Sequence, residues 1–320
     1  MPSEGPVLVT GAAGFVGRNV VDRLTADGHE VVAVDVADAP APTTGVAWVR
    51  ADLTELADAV PHAAVVIHLA AVTAGPVRER TDAAGVVAVN VAGTQAVLDA
   101  SRHLDARRVV YVSSGAVYGR RAFGTAPLDE DTPPEPSSLY GATKLAGEHL
   151  ALRHGELWDV PVVVARPGAV FGPWERATGV RDTLSPFLAL ADRARVAGHA
   201  RLPQTAPRSW TYAPDVAAAV ARLAVGPKPR HDLYLVATPE TVTLDRWADR
   251  LAREFTGFSW ESAGEDADIP YDGDPAARRR PVIVDRLRAE LPRWPERSTD
   301  SAFDDYVAWL TTNASSATTP

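Results

Sequence analysis

Hydrophobic positions follow two rhythms along the first half of this 320-residue chain. Short unbroken apolar runs alternate with longer stretches in which apolar residues recur at helical spacing. Val7-Leu8-Val9-Thr10, Glu30-Val31-Val32-Ala33-Val34-Asp35, Val65-Val66-Ile67-His68-Leu69-Ala70, Arg108-Val109-Val110-Tyr111-Val112-Ser113 and Val162-Val163-Val164-Ala165-Arg166 belong to the first kind. They are rich in β-branched residues, which fit a pleated surface, and read as strands. The stretch that ends at Leu24, Ala88 to His103 and Tyr140 to Arg153 read as helices. Strands apolar on every position must be covered on both faces, so the alternation predicts a Rossmann-type α/β fold with a doubly wound parallel sheet.

The rhythm fades after about residue 172. Proline-broken loops follow, with short helices over Leu184 to Val196 and Leu244 to Phe255 and one further apolar run, Leu233-Tyr234-Leu235-Val236. The expected organisation is a nucleotide-binding domain over 1–172 and a smaller mixed substrate lobe over 173–312. That lobe is interleaved with the last strands of the main sheet, and 313–320, ending in Ala, Ser, Thr and Pro, forms a disordered tail.

With 46% hydrophobic and 23% charged residues the chain can bury a full core. A net charge of −9 argues against a nucleic-acid partner, because phosphate binding rests on a basic patch. The one dense basic run, Arg278-Arg279-Arg280, reads as a solvated surface beside a Pro/Asp loop. The absence of cysteine excludes disulfides, thiol nucleophiles and cysteine-based zinc sites, and the eight histidines lack a ligand spacing, so no metal is expected. No charged-then-apolar leader and no apolar run of 18 or more is present, which predicts a soluble cytoplasmic protein with no membrane partner.

Two motifs carry chemistry. The first strand feeds into Gly11-Ala12-Ala13-Gly14-Phe15-Val16-Gly17 and then a helix. In that context glycines permit a tight turn and the close approach of a pyrophosphate to a helix N-terminus. Asp35 closes the second strand about 20 residues later, where a carboxylate would accept bonds from adenosine ribose hydroxyls. Val36 and Ala37 follow where a 2′-phosphate would want an arginine, so NAD is expected over NADP. The second motif is Tyr140 with Lys144, one of only two lysines in the chain. Four residues apart on a helix they share a face, and an ammonium beside a phenol favours its ionised form.

In order and spacing the chain resembles an extended short-chain dehydrogenase/reductase of the NAD-dependent epimerase/dehydratase superfamily. The resemblance rests on Thr10-Gly11-x-x-Gly14-x-x-Gly17, Asp35, Asp52-Leu53, His68-Leu69-Ala70-Ala71, Asn90-Val91-Ala92-Gly93-Thr94 and Ser113-Ser114-Gly115-Ala116-Val117-Tyr118-Gly119. Tyr140-x-x-x-Lys144, Arg166-Pro167 through Gly172-Pro173, and Arg208 through Asp215-Val216 complete it. It implies a catalytic Ser114, Tyr140 and Lys144: the phenol exchanges a proton with the substrate hydroxyl, the lysine holds the nicotinamide ribose and lowers the phenol pKa, and the serine bonds the reacting oxygen. It also implies cofactor contacts from Gly11, Gly14, Phe15, Val16, Gly17, Asp35, Asp52, Leu53, Leu69, Ala70, Ala71, Asn90, Pro167 and Gly168. Substrate contacts are expected from Thr73, Ser114, Gly115, Ala169, Trp174, Arg208 and Tyr212, with Glu175 and Trp210 nearby, while His68 reads as a satisfied strand-end residue.

Departures from the family's patterns narrow the reaction. Sugar dehydratases carry an Asp-Glu pair after the catalytic hydroxyl residue, and Gly115 and Ala116 stand there, so dehydration is not expected. Nucleotide-sugar epimerases place an asparagine where this chain has Ala169, yet Arg208, matching their diphosphate arginine, is retained. The resemblance therefore implies an NAD-dependent epimerase of a nucleotide-linked sugar, a small-molecule substrate, with an NAD(P)-dependent dehydrogenase or ketoreductase as the alternative. It also implies a homodimer, since helices Ala88–His103 and Tyr140–Arg153 match those that pair across a two-fold axis in many relatives.

Overall fold

The computed structural model describes residues 5–39, 44–178, 180–182, 184–271, 274 and 277–313; most of the expected tail, 314–320, lies outside the described residues. Among the described residues twelve strands are formed: β1 (Val7–Thr10), β2 (Val31–Asp35), β3 (Val46–Arg50), β4 (Val65–His68), β5 (Val109–Val112) and β6 (Val162–Pro167). They are followed by β7 (Ala169–Phe171), β8 (His199–Leu202), β9 (Arg208–Tyr212), β10 (Leu233–Val236), β11 (Thr241–Val242) and β12 (Ser259–Ser262). Seven make one parallel sheet in the order β10-β6-β5-β4-β1-β2-β3. The unbroken apolar runs fall on its central strands: β1, β4, β5 and β6 are buried along their whole length.

Helices cover both faces, as a doubly wound sheet requires. Helix Phe15–Ala26 packs beside helix Ala213–Val225 on one face, and helices Thr94–His103 and Leu139–Trp158 lie together on the other. Ala213–Val225 is buried almost all round, and β3 is a half-exposed edge strand; neither is among the elements expected from the sequence. The helix expected from Ala88 begins earlier, at Ala83, because the Asp82 side chain caps it by accepting from Gly85 N at 3.2 Å, and it passes through a π-helical stretch at Ala88–Gly93. From Ala83 to His103 it is long and apolar enough to cross a membrane by length and composition, with mean hydropathy 1.3 and 39% of that window buried. The expectation of no such segment counted only uninterrupted apolar runs, and here Asn90, Thr94 and Gln95 interrupt the run without lowering its mean enough.

A second core gathers Phe171, Phe187, Trp210, Trp247, Phe303 and Tyr306 under the small sheets β11-β9-β7 and β12-β8. Trp247 stacks on Tyr306 at 5.3 Å. β10 leaves this half of the chain to pair with β6, in register Leu233↔Val164 through Val236↔Pro167.

The glycine turn sets where the first helix can sit. A Cβ on Gly17 would lie 2.0 Å from the Gly11 carbonyl oxygen, and one on Gly11, at φ +68°, would meet Ala70 N at 2.6 Å. Both contacts are with backbone, which cannot swing aside. Gly17→Ala is therefore expected to lower unfolding stability by about 1–3 kcal/mol, the usual cost of forcing a methyl into a packed site. A urea midpoint unchanged from the unmodified protein would contradict this packing.

Candidate active site

The C-terminal ends of β1, β2, β4, β5 and β6 open on one edge, and there a cavity of about 1160 Å³ runs from the glycine turn to β9. Single small-ligand pockets are roughly 300–1,000 Å³, so this one has room for two ligands side by side.

Its acidic end is built by β1, β2 and the turns after them. Gly14 caps helix Phe15–Ala26 with no side chain, so the first-turn N–H groups, which have no intrahelical acceptor, are left facing the cavity. Asp35 accepts from Ala13 N at 3.0 Å and Ala37 N at 3.0 Å, which pins the turn to β2 while its carboxylate lines the wall. Asp52 caps the short turn that starts at Leu53, and its bonds from Thr54 backbone and hydroxyl hold its carboxyl below the ordinary range.

The middle of the cavity carries the hydroxyl groups. Ser138 caps helix Leu139–Trp158 by accepting from Gly141 N at 3.1 Å, and Gly141 has no side chain to push against the Ala116 carbonyl, 2.6 Å from where its Cβ would stand. This close approach brings the helix start against the Ser114–Ala116 turn, and the Tyr140 phenol meets the hydroxyls of Ser114 and Thr73. Burial raises the phenol's pKa, while Ser114, the charge of Arg181 and Thr73 pull it down.

Lys144 shares the helix face with Tyr140, and its ammonium lies over Tyr111, 4.6 Å from the ring centroid. Burial lowers it to about 7, against an upward pull from Glu148. Glu148, one helical turn further, takes Arg166 of β6 through two bonds, Nε at 2.8 Å and Nη2 at 2.6 Å, and Ser113 Oγ at 2.5 Å. Burial alone would depress Arg166, but the bonds and charge of Glu148 outweigh it and hold the guanidinium above its ordinary value.

The far end is basic. Arg208 lies 4.6 Å over the Trp210 ring, both line the cavity, and no carboxylate pairs with Arg208 among the described residues. Arg279 and Arg280 line the cavity as well, while Arg176, donating to the Ala13 carbonyl at 3.4 Å, and Arg181, 5.2 Å from the Phe15 ring centroid, line it beside the glycine turn. The expected solvated basic run is thus a wall: Arg278 is exposed, but Arg279 stacks on Phe123 at 4.7 Å and Arg280 holds the Arg121, Ala126 and Pro127 carbonyls.

Gly11, Gly14, Phe15, Val16, Gly17, Leu53, Leu69, Ala70, Ala71, Thr73, Ser114, Gly115, Pro167, Gly168 and Ala169 all line the cavity. Three expected residues do not. Asn90 is buried as a clamp, its amide bonding both backbone groups of Val72 and the Thr143 hydroxyl at 2.8–3.0 Å. Trp174 turns to donate to Asp22 at 2.9 Å and sits over Arg18, and Tyr212 donates to Asp305 at 3.0 Å within the second core. Glu175 is likewise turned inward, onto Arg181 and Ser185. Tyr118 gives its hydroxyl to the Asp129 carbonyl at 2.9 Å. His68 bridges Thr10 at 2.7 Å and Thr94 at 3.0 Å, and burial lowers it to about 3, so it is a neutral structural residue, as expected.

Comparison with known proteins places this architecture. The family model for the NAD dependent epimerase/dehydratase family matches residues 7–236, which run from the first residue of β1 to the last of β10. The chain belongs to that family. A UDP-glucose 4-epimerase of Mycolicibacterium smegmatis is 36% identical over 195 residues, covering 56% of this chain and 61% of the relative, so the match spans under two thirds of that protein. A probable UDP-glucuronate 4-epimerase of Rhizobium meliloti is 30% identical over 264 residues, covering 75% of this chain and 74% of the relative. Among solved structures, MoeE5 in complex with UDP-glucose and NAD is 27% identical, covers 97% of this chain and 100% of its own, and superposes with a TM-score of 0.75. The family match includes every strand of the main sheet, and hence the floor of the cavity.

The residues present fit the family's dinucleotide. The turn tolerates no Cβ at Gly11 or Gly17, the uncapped helix start supplies N–H donors, and a carboxylate closes β2. Arg176 and Arg181 carried no signal in the sequence, and Arg279 and Arg280 read there as solvated surface, because all four sit on irregular segments brought to the cavity only by tertiary contacts.

The lysine gives a pH signature. Its ordinary pKa is 10.5 and its folded value about 7, so between those two values the unfolded chain binds more protons than the folded one. Stability should rise with pH across that window relative to a Lys144→Met variant. Parallel stability curves for the two ligand-free proteins would contradict the burial of the ammonium.

Proposed function

We propose that this protein is an NAD-dependent epimerase that transiently oxidises a secondary carbinol of a nucleotide-linked sugar and re-reduces it on the opposite face. The observation that carries the reading is a single cavity in which a dinucleotide turn, a Ser114/Tyr140 hydroxyl pair and an unpaired Arg208 follow one another. NAD would take up hydride from the carbinol carbon and return it. Asp35 would hold the adenosine ribose hydroxyls, and the N–H groups after Gly14 the pyrophosphate. Tyr140 would accept the hydroxyl proton and give it back, Ser114 would hold the reacting oxygen, and Lys144 would bond the nicotinamide ribose. Arg208, flat on Trp210, suits one phosphate of a diphosphate, and Arg279 lines the same end.

Gly115 and Ala116 leave no side chain able to move a second proton, which supports epimerisation over dehydration. Ala169, lining the wall where epimerases of the family carry asparagine, favours as a second reading a dehydrogenase or ketoreductase with net cofactor turnover. We also read 173–312 as the substrate lobe around the second core, and the protein as a cytoplasmic homodimer. Light scattering should then show twice the 34.0 kDa chain mass, and a single chain mass at micromolar concentration would remove the dimer.

Incubation with UDP-glucose and UDP-glucuronate, each with sub-stoichiometric NAD, should yield an isomer without accumulation of NADH. Tyr140→Phe removes one oxygen and should lower turnover by about 10²-fold or more with NAD affinity retained. Steady NADH formation would favour the dehydrogenase, and full activity of the variant would move the chemistry elsewhere.

A further inference from the structure

The middle of helix Leu139–Trp158 carries a glycine, Gly147, where alanine would favour the helix by about 1 kcal/mol. The neighbouring strand accounts for the gap. A Cβ on Gly147 would stand 2.1 Å from the Tyr111 phenol oxygen and 2.6 Å from the ring carbon that bears it, so the end of that side chain occupies the space. From this seat the hydroxyl donates to the Lys144 carbonyl at 3.3 Å and meets the Thr94 hydroxyl. Tyr111 is fully buried, and the neutral imidazole of His68 packs against its ring, 5.7 Å between centroids. The side chain is thus fixed by helix Leu139–Trp158, helix Thr94–His103 and β4 together.

Lys144 lines the cavity, and its ammonium lies over this ring, 4.6 Å from the centroid; Tyr111 itself does not line the cavity. An aromatic face attracts a cation, most strongly one that is out of water. The other ionisable groups around the lysine are Glu148 and Tyr140 on its own helix and His68 of β4, which feels its charge, while Arg166 of β6 takes up Glu148. We infer that Tyr111 is a positioning residue for the reaction: seated in the gap at Gly147, its ring holds the Lys144 ammonium in place at the cavity wall, one helical turn from Tyr140. The inference rests on the reading of the cavity given above, in which Lys144 serves the reaction, and it adds a residue that acts through the lysine alone.

Lys144 and Lys228 are the only lysines, so a full chain isotopically labelled at the lysine ε-carbons gives one magnetic-resonance signal for each, with Lys228 as the control. In the ligand-free protein the Lys144 signal should be displaced upfield by the ring, and its titration midpoint reads the ionisation of the ammonium directly. Tyr111→Leu removes the ring, so the upfield displacement should vanish and the midpoint should fall by about 0.5–1.5 in pH, because the cation loses a partner. Tyr111→Phe keeps the ring and should hold both readings. Should the leucine variant fail to fold, Gly147→Ala, which expels the end of the ring from its gap, should produce the same two changes. With NAD and UDP-glucose or UDP-glucuronate, kcat of the leucine or alanine variant should drop about three- to thirtyfold. A midpoint within about 0.2 of the unmodified protein's in these folded variants makes Tyr111 core packing and overturns the inference, as does an unchanged kcat. If the lysine responds as expected while the unmodified protein turns over neither sugar, the reading of the cavity fails, and the role of Tyr111 in the reaction with it.

Discussion

The buried pair between Glu148 and Arg166 is the interaction on which the site depends. Both side chains are almost fully enclosed, and two charges out of water are tolerated only where geometry and further hydrogen bonds compensate for lost hydration. Here the contact is bidentate, and Ser113 supplies a third donor to the same carboxylate. The three residues come from helix Leu139–Trp158, β6 and the position just after β5, so the pair fixes the helix in rotation and register against two strands. Tyr140, Lys144 and Glu148 stand four residues apart on that helix and form one stripe. Anchoring Glu148 therefore aims Tyr140 at Ser114, the residue after Ser113, and sends Lys144 toward Tyr111.

The rest follows from sheet polarity. Parallel strands deliver all their C-terminal ends to one edge, and the chain places a carboxylate at the end of β2, another after β3, and arginines of β9 and of irregular segments around the same cavity. The second core holds β9, with Arg208 and Trp210, firmly beside the main sheet, because Trp210 packs against Phe187 at 4.9 Å.

Much of this was legible in the sequence, for a physical reason in each case. Buried parallel strands must be continuously apolar, so β1, β2, β4, β5, β6 and β10 announced themselves, and steric exclusion at Gly11 and Gly17 made the dinucleotide turn readable. The Tyr140–Lys144 spacing showed that the two share a face, but spacing cannot say that Tyr111 lies beneath the lysine. Asn90, Trp174 and Tyr212 looked like ligand contacts because polar and aromatic groups near strand ends often are; their partners Val72, Asp22 and Asp305 lie far off in sequence and are visible only in the fold. Arg181 gave no signal and Arg279 read as solvated surface for the same reason, since irregular segments carry no period that says which way a side chain turns.

The central claim is that hydride leaves one carbinol carbon and returns to the same carbon while the cofactor stays in place. A UDP-sugar deuterated at the reacting carbon, turned over with unlabelled NAD, tests it directly. The account predicts an isomer that keeps its deuterium at that carbon, with no labelled NADH in solution. Deuterium lost from the isomer, or appearing in released NADH, would contradict it.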